Sequence, residues 1–167
     1  IGVMTAISGE AQATVTDCTK KLGALWLHHV HVAQGALNKG DGVHLQIDSQ
    51  RRGAITANHS ATHLLHEALR RHLGDHVAQK GSLQDNVRTR FDIAQPVAVT
   101  PEQLRAVEYD VNEQIRANTA VRTQIMPIEE AKESGARALF GEKYGDEVRV
   151  VSMGTQDVDG KPVYSVE

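Results

Sequence analysis

The sequence has a single cysteine, Cys18, no apolar run near the roughly 20 residues that span a bilayer, no internal repeat and no low-complexity segment. One thiol excludes an internal disulfide, and a reducing, cytoplasmic setting is the simplest reading. The absent apolar run excludes a membrane helix, and no membrane partner is expected; a basic-then-apolar leader is missing as well. There is no initiating methionine, and the sequence stops at "PVYSVE", inside a strand-like pattern. This reads as a segment of a longer protein, so a site completed beyond Glu167 would be half present here.

What is present suits a folded protein. The 167 residues are 40% hydrophobic and 23% charged, which allows a core and argues against disorder, in one domain or two small ones. The net charge of −3 is unevenly spread: residues 51–90 hold seven Lys or Arg against three Asp or Glu, and the rest holds eleven against eighteen. Five of the nine histidines lie in that same basic stretch. A basic, histidine-rich segment in an acidic chain points to an anionic ligand or nucleic acid, although a solvated helix face has the same composition.

The first 50 residues read as short strands, "GVMTAIS", "AQATVTD", "LWLHHVHV" and "GVHLQID", separated by Gly9, "KKLG" and the turn "NKGDG". This pattern predicts hairpins closing into a small barrel or sandwich, with Trp26 in its core and His28, His29 and His31 alternating about a strand. From Arg51 the period becomes helical. Asn58 is placed to cap a helix that Gly74 ends, with Ala61, Leu64, Leu65, Ala68, Leu69 and His72 on one face. "VRTRFDI" alternates as a strand. Thr100 and Gln103 form a capping box around Pro101, opening a helix whose buried stripe is Leu104, Val107, Val111 and Ile115. "VRTQIM", "EVRVVSM" and "PVYSVE" read as strands, "IEEAKESGARALFG" as a helix and "DVDG" as a turn. The expected architecture is α+β: a small β-barrel over 1–50, then an α+β domain over 51–167 in the order α-β-α-β-α-β-β.

The stretch "NHSATHLLHEALRRHLG" carries the chemistry. His59, His63, His66 and Arg70 fall within about 60° of one another, opposite the apolar stripe, so the histidines are expected on a wet face. His59 and His63, at i and i+4, can aim both imidazoles at one ion, and His63 and His66 could do the same. His59 and His66, two turns apart, cannot easily share one. Two histidines are half of a zinc site, and Ser60 stands where the metalloprotease H-E-x-x-H needs its glutamate. That argues against an unrelated zinc hydrolase. Spacing alone leaves a solvated face and a metal site both open. Glu129, Glu130 and Glu133 look like a solvated helix face, and "FGEKYG" fits either nucleic-acid contact or helix-end packing.

The blocks "NHSATHLLH", "HVAQKGSL", "RFD" and "ALFGEKYGDEVRVVSMG" closely resemble, in order, the editing domain of alanyl-tRNA synthetase over residues 51–154. Residues 1–50 resemble, more loosely, the β-barrel that precedes it. The editing domain of threonyl-tRNA synthetase shares HxxxH, but "QKGS" and "LFGEKY" favour the alanyl type. The resemblance implies a two-layer α/β editing core of the threonyl/alanyl type. It also implies hydrolysis of serine or glycine wrongly esterified to the alanine tRNA, inside an enzyme that ligates alanine to tRNA with ATP bound in another domain. It makes His59 and His63 zinc ligands, with a C-x-x-x-H pair expected past Glu167, so that this segment alone would bind zinc weakly and be weakly active or inactive. His66 is left as a face residue. Gln79 is the implied catalytic and serine-recognising residue, with Thr62 and Ser82 beside it as substrate contacts; read without the resemblance, Gln79 is an ordinary loop glutamine. Lys80, Arg88 and Arg90 are expected at the phosphates of the tRNA acceptor end, Arg88 and Arg90 on one strand face opposite Phe91. A half-open metal site also leaves room for a homodimer. The rival reading is a tRNA-binding or structural module without hydrolytic activity of its own.

Overall fold

In the computed structural model, which describes residues 1–137, 145–155 and 164–167, the chain divides into two units, Ile1–Ala54 and Ile55–Glu167. The block "FGEKYG", the turn "DVDG" and part of the "IEEAKESGARALFG" and "PVYSVE" readings lie outside the described residues.

The first unit is one antiparallel sheet of β1 (Gly2–Ala6), β2 (Gln12–Lys21), β3 (Leu25–Gln34) and β4 (Val43–Ile47), in the order β3-β2-β1-β4. The predicted turns are where glycine permits them: Leu22 and Gly23 both take positive φ at the β2–β3 hairpin, and Asp41 ties the "NKGDG" turn to the Asn38 amide. The barrel is corrected to an open sheet. Among the described residues β3 and β4 remain edges that do not pair with each other, and the side chains buried in this unit are only Ala6, Ala11, Ala13 and Val15. Four small side chains are too little apolar volume to draw a sheet closed around them. Trp26 is likewise not core: it is 58% exposed, with the Lys20 ammonium 5.2 Å from its ring centroid. Every residue of β3, His28, His29 and His31 included, is exposed.

The helix α1 runs over Ser49–Leu73 and so begins well before Asn58. Its first turn is held by Asp48, whose carboxylate and carbonyl accept from the Arg51 and Arg52 amides, so Asp48 rather than Asn58 does the capping. Gly74, with φ +117°, closes the other end, its amide donating to the Arg70 carbonyl.

A hairpin follows, β5 (Gln79–Gln84) and β6 (Thr89–Ile93). β5 was not legible as a strand, because glycine and polar residues dominate "QKGSLQ". β6 is shorter than "VRTRFDI": the Asp85 carboxylate accepts from the Val87 and Arg88 amides and turns the chain there. The capping box of α2 (Pro101–Ala117) forms as read, Thr100 and Gln103 each bonding the other's amide. Its buried stripe is narrower than predicted, since Val107 is buried and Val111 half-buried, whereas Leu104 and Ile115 are about half exposed. β7 (Arg122–Pro127), β8 (Glu147–Met153) and β9 (Ser165–Val166) form an antiparallel sheet in that order, with α3 (Ile128–Glu133) after β7. α3 ends early because Ser134 caps it and Gly135 turns into positive φ.

The core of the second unit is built on α1. Ala68 and Leu69 pack with Val77 and Val107, flanked by Phe91, Ile93 and Val111, while Leu64 packs with Met153 and Tyr164. No helix among the described residues is long and apolar enough to cross a membrane.

Gly154 sits at φ +92°, and a Cβ there would collide with the Tyr164 side chain. Gly154→Ala is therefore expected to destabilise the second unit by about 2 kcal/mol or more, read as a lower urea midpoint; an unchanged midpoint would refute this packing.

Candidate functional site

The face of α1 predicted to be wet is covered. The hairpin covers it: Asn58 donates its side-chain amide to the Asp85 carbonyl at 2.8 Å, the Thr62 and Thr89 hydroxyls meet at 2.7 Å, and the Phe91 ring packs tilted against His66 with ring centroids 5.2 Å apart. His66 is consequently 6% exposed, which corrects its reading as a face residue. His63 is partly buried, and His59 stays exposed at the rim.

His59, Thr62, His63, His66 and Phe91 line a cavity of about 90 Å³ together with Gln79, Ser82, Gln84 and Glu167. The space is too small for a large ligand. His59, His63, Thr62, Gln79 and Ser82, all selected from sequence, thus come to one place. Gln79 is on β5 rather than in a loop, and its amide donates to the Ser82 hydroxyl at 3.3 Å. Lys80, Arg88 and Arg90 are not in the lining. Arg88 is in the hairpin turn, 3.9 Å from Asp85, and Arg90 is on β6, 3.2 Å from Asp92. They do not share a strand face as expected, because β6 begins only at Thr89.

Sequence reasoning missed Gln84, Phe91, His66 and above all Glu167. The Glu167 carboxylate reaches Nδ1 of His63 at 2.5 Å and Nδ1 of His66 at 2.9 Å. Burial disfavours ionisation of this carboxyl, but hydrogen bonds from His63 and His66 and the charge of those rings outweigh it and pull the group down to about 2. Only the periodicity of "PVYSVE" hinted at it, by bringing a strand to an end with an acid.

The geometry allows a metal. The His59 and His63 ring centroids are 4.9 Å apart, and two imidazoles bound to one zinc through nitrogens at about 2.0 Å place their centroids roughly 5 Å apart. The pair supplies two of the three or four ligands zinc takes. Among the described residues no group of three or more His, Cys, Asp or Glu is arranged to hold an ion, and Cys18 belongs to the other unit and is exposed.

No protein-family model matches the chain. It is 53% identical over 166 residues, 99% of its length, to the alanine-tRNA ligase of Granulibacter bethesdensis. It is 57% identical over 153 residues to that of Gluconobacter oxydans and 55% over 159 residues to that of Paracoccus denitrificans. The chain belongs to the alanine-tRNA ligase family. It spans under a fifth of the length of these relatives, 17 to 19%. "NHSATHLLH", "QKGS" and the strand carrying "VRVVSMG" therefore sit within a ligase-family segment, the first two lining or flanking the cavity.

A carboxyl whose folded value lies below its unfolded value of 4.5 stabilises the fold above that value and loses the contribution as pH falls toward the folded value. Stability is thus expected to drop between about pH 5 and 2 in part through Glu167, and Glu167→Gln should flatten that limb in acid titrations of thermal unfolding. An identical acid limb in the variant would contradict the ion pairing.

Proposed function

We propose that this segment is the α+β editing core of an alanine-tRNA ligase and hydrolyses the ester of serine or glycine wrongly attached to the alanine tRNA. One observation carries the reading: the HxxxH pair, Gln79, Thr62 and Ser82 line one small cavity in a ligase-family segment. The need for such a site is physical, since a pocket built for alanine cannot exclude glycine by size or strongly reject serine for one added hydroxyl.

His59 and His63 would hold a zinc ion, with further ligands from elsewhere in the ligase. When bound, zinc supplies Lewis-acid polarisation of an ester carbonyl or water. The chain's own residues do the rest. Gln79, already bonded to Ser82, offers its amide to the serine hydroxyl, and the buried Thr62 hydroxyl is the second polar group at the wall. Phe91 and His66 close the inner end against water. Lys80, Arg88 and Arg90, on the hairpin outside the cavity, would meet acceptor-end phosphates, which makes binding fall with salt. ATP and alanine activation belong to other parts of the ligase, whose cytoplasmic setting and self-association into a homodimer are part of the same proposal.

The decisive experiment compares zinc per chain and deacylation of serine-charged alanine tRNA in the ligase containing this segment and in its His63→Ala variant. About one zinc per editing segment, lost in the variant together with about 100-fold or more of the deacylation, is the expected result. Gln79→Ala should cost roughly tenfold in serine hydrolysis, the worth of one hydrogen bond in a desolvated pocket, while tRNA affinity holds. Salt-dependent tRNA binding with no zinc and no cleavage would overturn the reading in favour of a tRNA-binding module.

A further inference from the structure

We infer that Glu167 is a positioning residue that sets the tautomer of His63, using His66 as its second anchor. The inference rests on the reading of His63 as a metal ligand. A carboxylate only accepts hydrogen bonds, so with both imidazole Nδ1 atoms against one Glu167 carboxylate, both rings donate from Nδ1. A neutral ring has one donor and one acceptor nitrogen, and His63 is thereby left with Nε2 as its acceptor. Metal-binding histidines characteristically donate their other ring nitrogen to a carboxylate, which fixes the ring and strengthens the ligand nitrogen.

Two observations separate this role from plain strand anchoring. First, the Glu167 backbone is already paired with Val151 in both directions, at 2.6 and 2.9 Å, so β9 and the residue after it do not need the side chain to stay in register. Second, His66 is 6% exposed, yet its Nε2 has no hydrogen-bond partner among the described residues. A buried imidazole left half satisfied is costly. Its one polar bond here is to Glu167, and its ring is wedged against Phe91. His66 therefore holds the carboxylate from the inside while His63 receives it at the cavity wall. A carboxylate clamped by two rings cannot rotate away to water, so the tautomer of His63 is set before any ligand arrives.

The test reads the ring nitrogens directly. Long-range proton–nitrogen spectra of the 15N-labelled 167-residue chain, at about pH 8 where free imidazoles are neutral, should show His63 as the Nδ1–H form. Glu167→Ala should shift it toward Nε2–H, with the Val151 amide resonance unmoved. In the ligase containing this segment, Glu167→Ala should weaken zinc binding on the order of 10- to 100-fold. If Glu167→Ala disturbs Val151, Glu167→Gln keeps the shape and decides: a mixed His63 tautomer supports the inference. An unchanged His63 tautomer in a variant with intact Val151 overturns it. A tautomer shift in a ligase that binds no zinc would uphold the positioning and sink the metal reading.

Discussion

The second unit is organised by the burial of α1 on two sides. Between Thr62 and Leu69 six of eight successive residues are buried, which an amphipathic helix with one dry stripe does not do. The apolar side, through Leu64, Ala68 and Leu69, forms the core with α2 and β8. The other side is polar, and covering it favours partners for its polar groups, since an unpaired buried group costs about 1–3 kcal/mol, although His66 Nε2 is left without one among the described residues. Thr62 finds Thr89, Asn58 finds the Asp85 carbonyl, Glu67 finds Arg71 and Arg137, and His66 finds Glu167. The cavity is the remainder of that face, the part the hairpin does not fill.

This arrangement explains why chemistry gathers there. A helix supplies side chains at one fixed spacing, and a hairpin packed on it supplies another set at the strand period of two. Ser82 and Gln84 come from alternation along β5, and Gln79 joins them across the irregularity in register between Gln79 and Gly81; His59, Thr62, His63 and His66 come from successive turns of α1. Both elements are hydrogen-bonded secondary structure, which holds the lining more rigidly than loops would. Glu167 adds a third source, delivered by the pairing of the last strand with β8. The polar network is thus also what connects the sheet to the helix.

The first unit makes the opposite use of its sequence. Its strands alternate, but only small side chains are buried, and Leu25, Trp26, Leu27, Val30 and Val32 along β3 are exposed. Each strand was legible because β-branched runs were punctuated by Gly9, Gly23 and "NKGDG". Closure was not legible, because it depends on whether the edge strands meet, which no local pattern encodes.

By itself the sequence determined the elements governed by local chemistry. The α2 capping box, the glycine end of α1, the turns of the first sheet and the i, i+4 pairing of His59 with His63 all follow from residues within a few positions of one another. The family resemblance rested on contiguous blocks for the same reason. Tertiary structure decided the rest. The wheel placed His66 opposite the apolar stripe, which was right about angle and wrong about water, because β5, one arm of the hairpin that covers it, is built from polar and glycine residues with no strand signature, and the pairing of β5 with the legible β6 is tertiary. The hydrogen bonds of Glu167 with His63 and His66 span about a hundred residues of chain, and only the packing of β9 beside β8 brings the partners within reach.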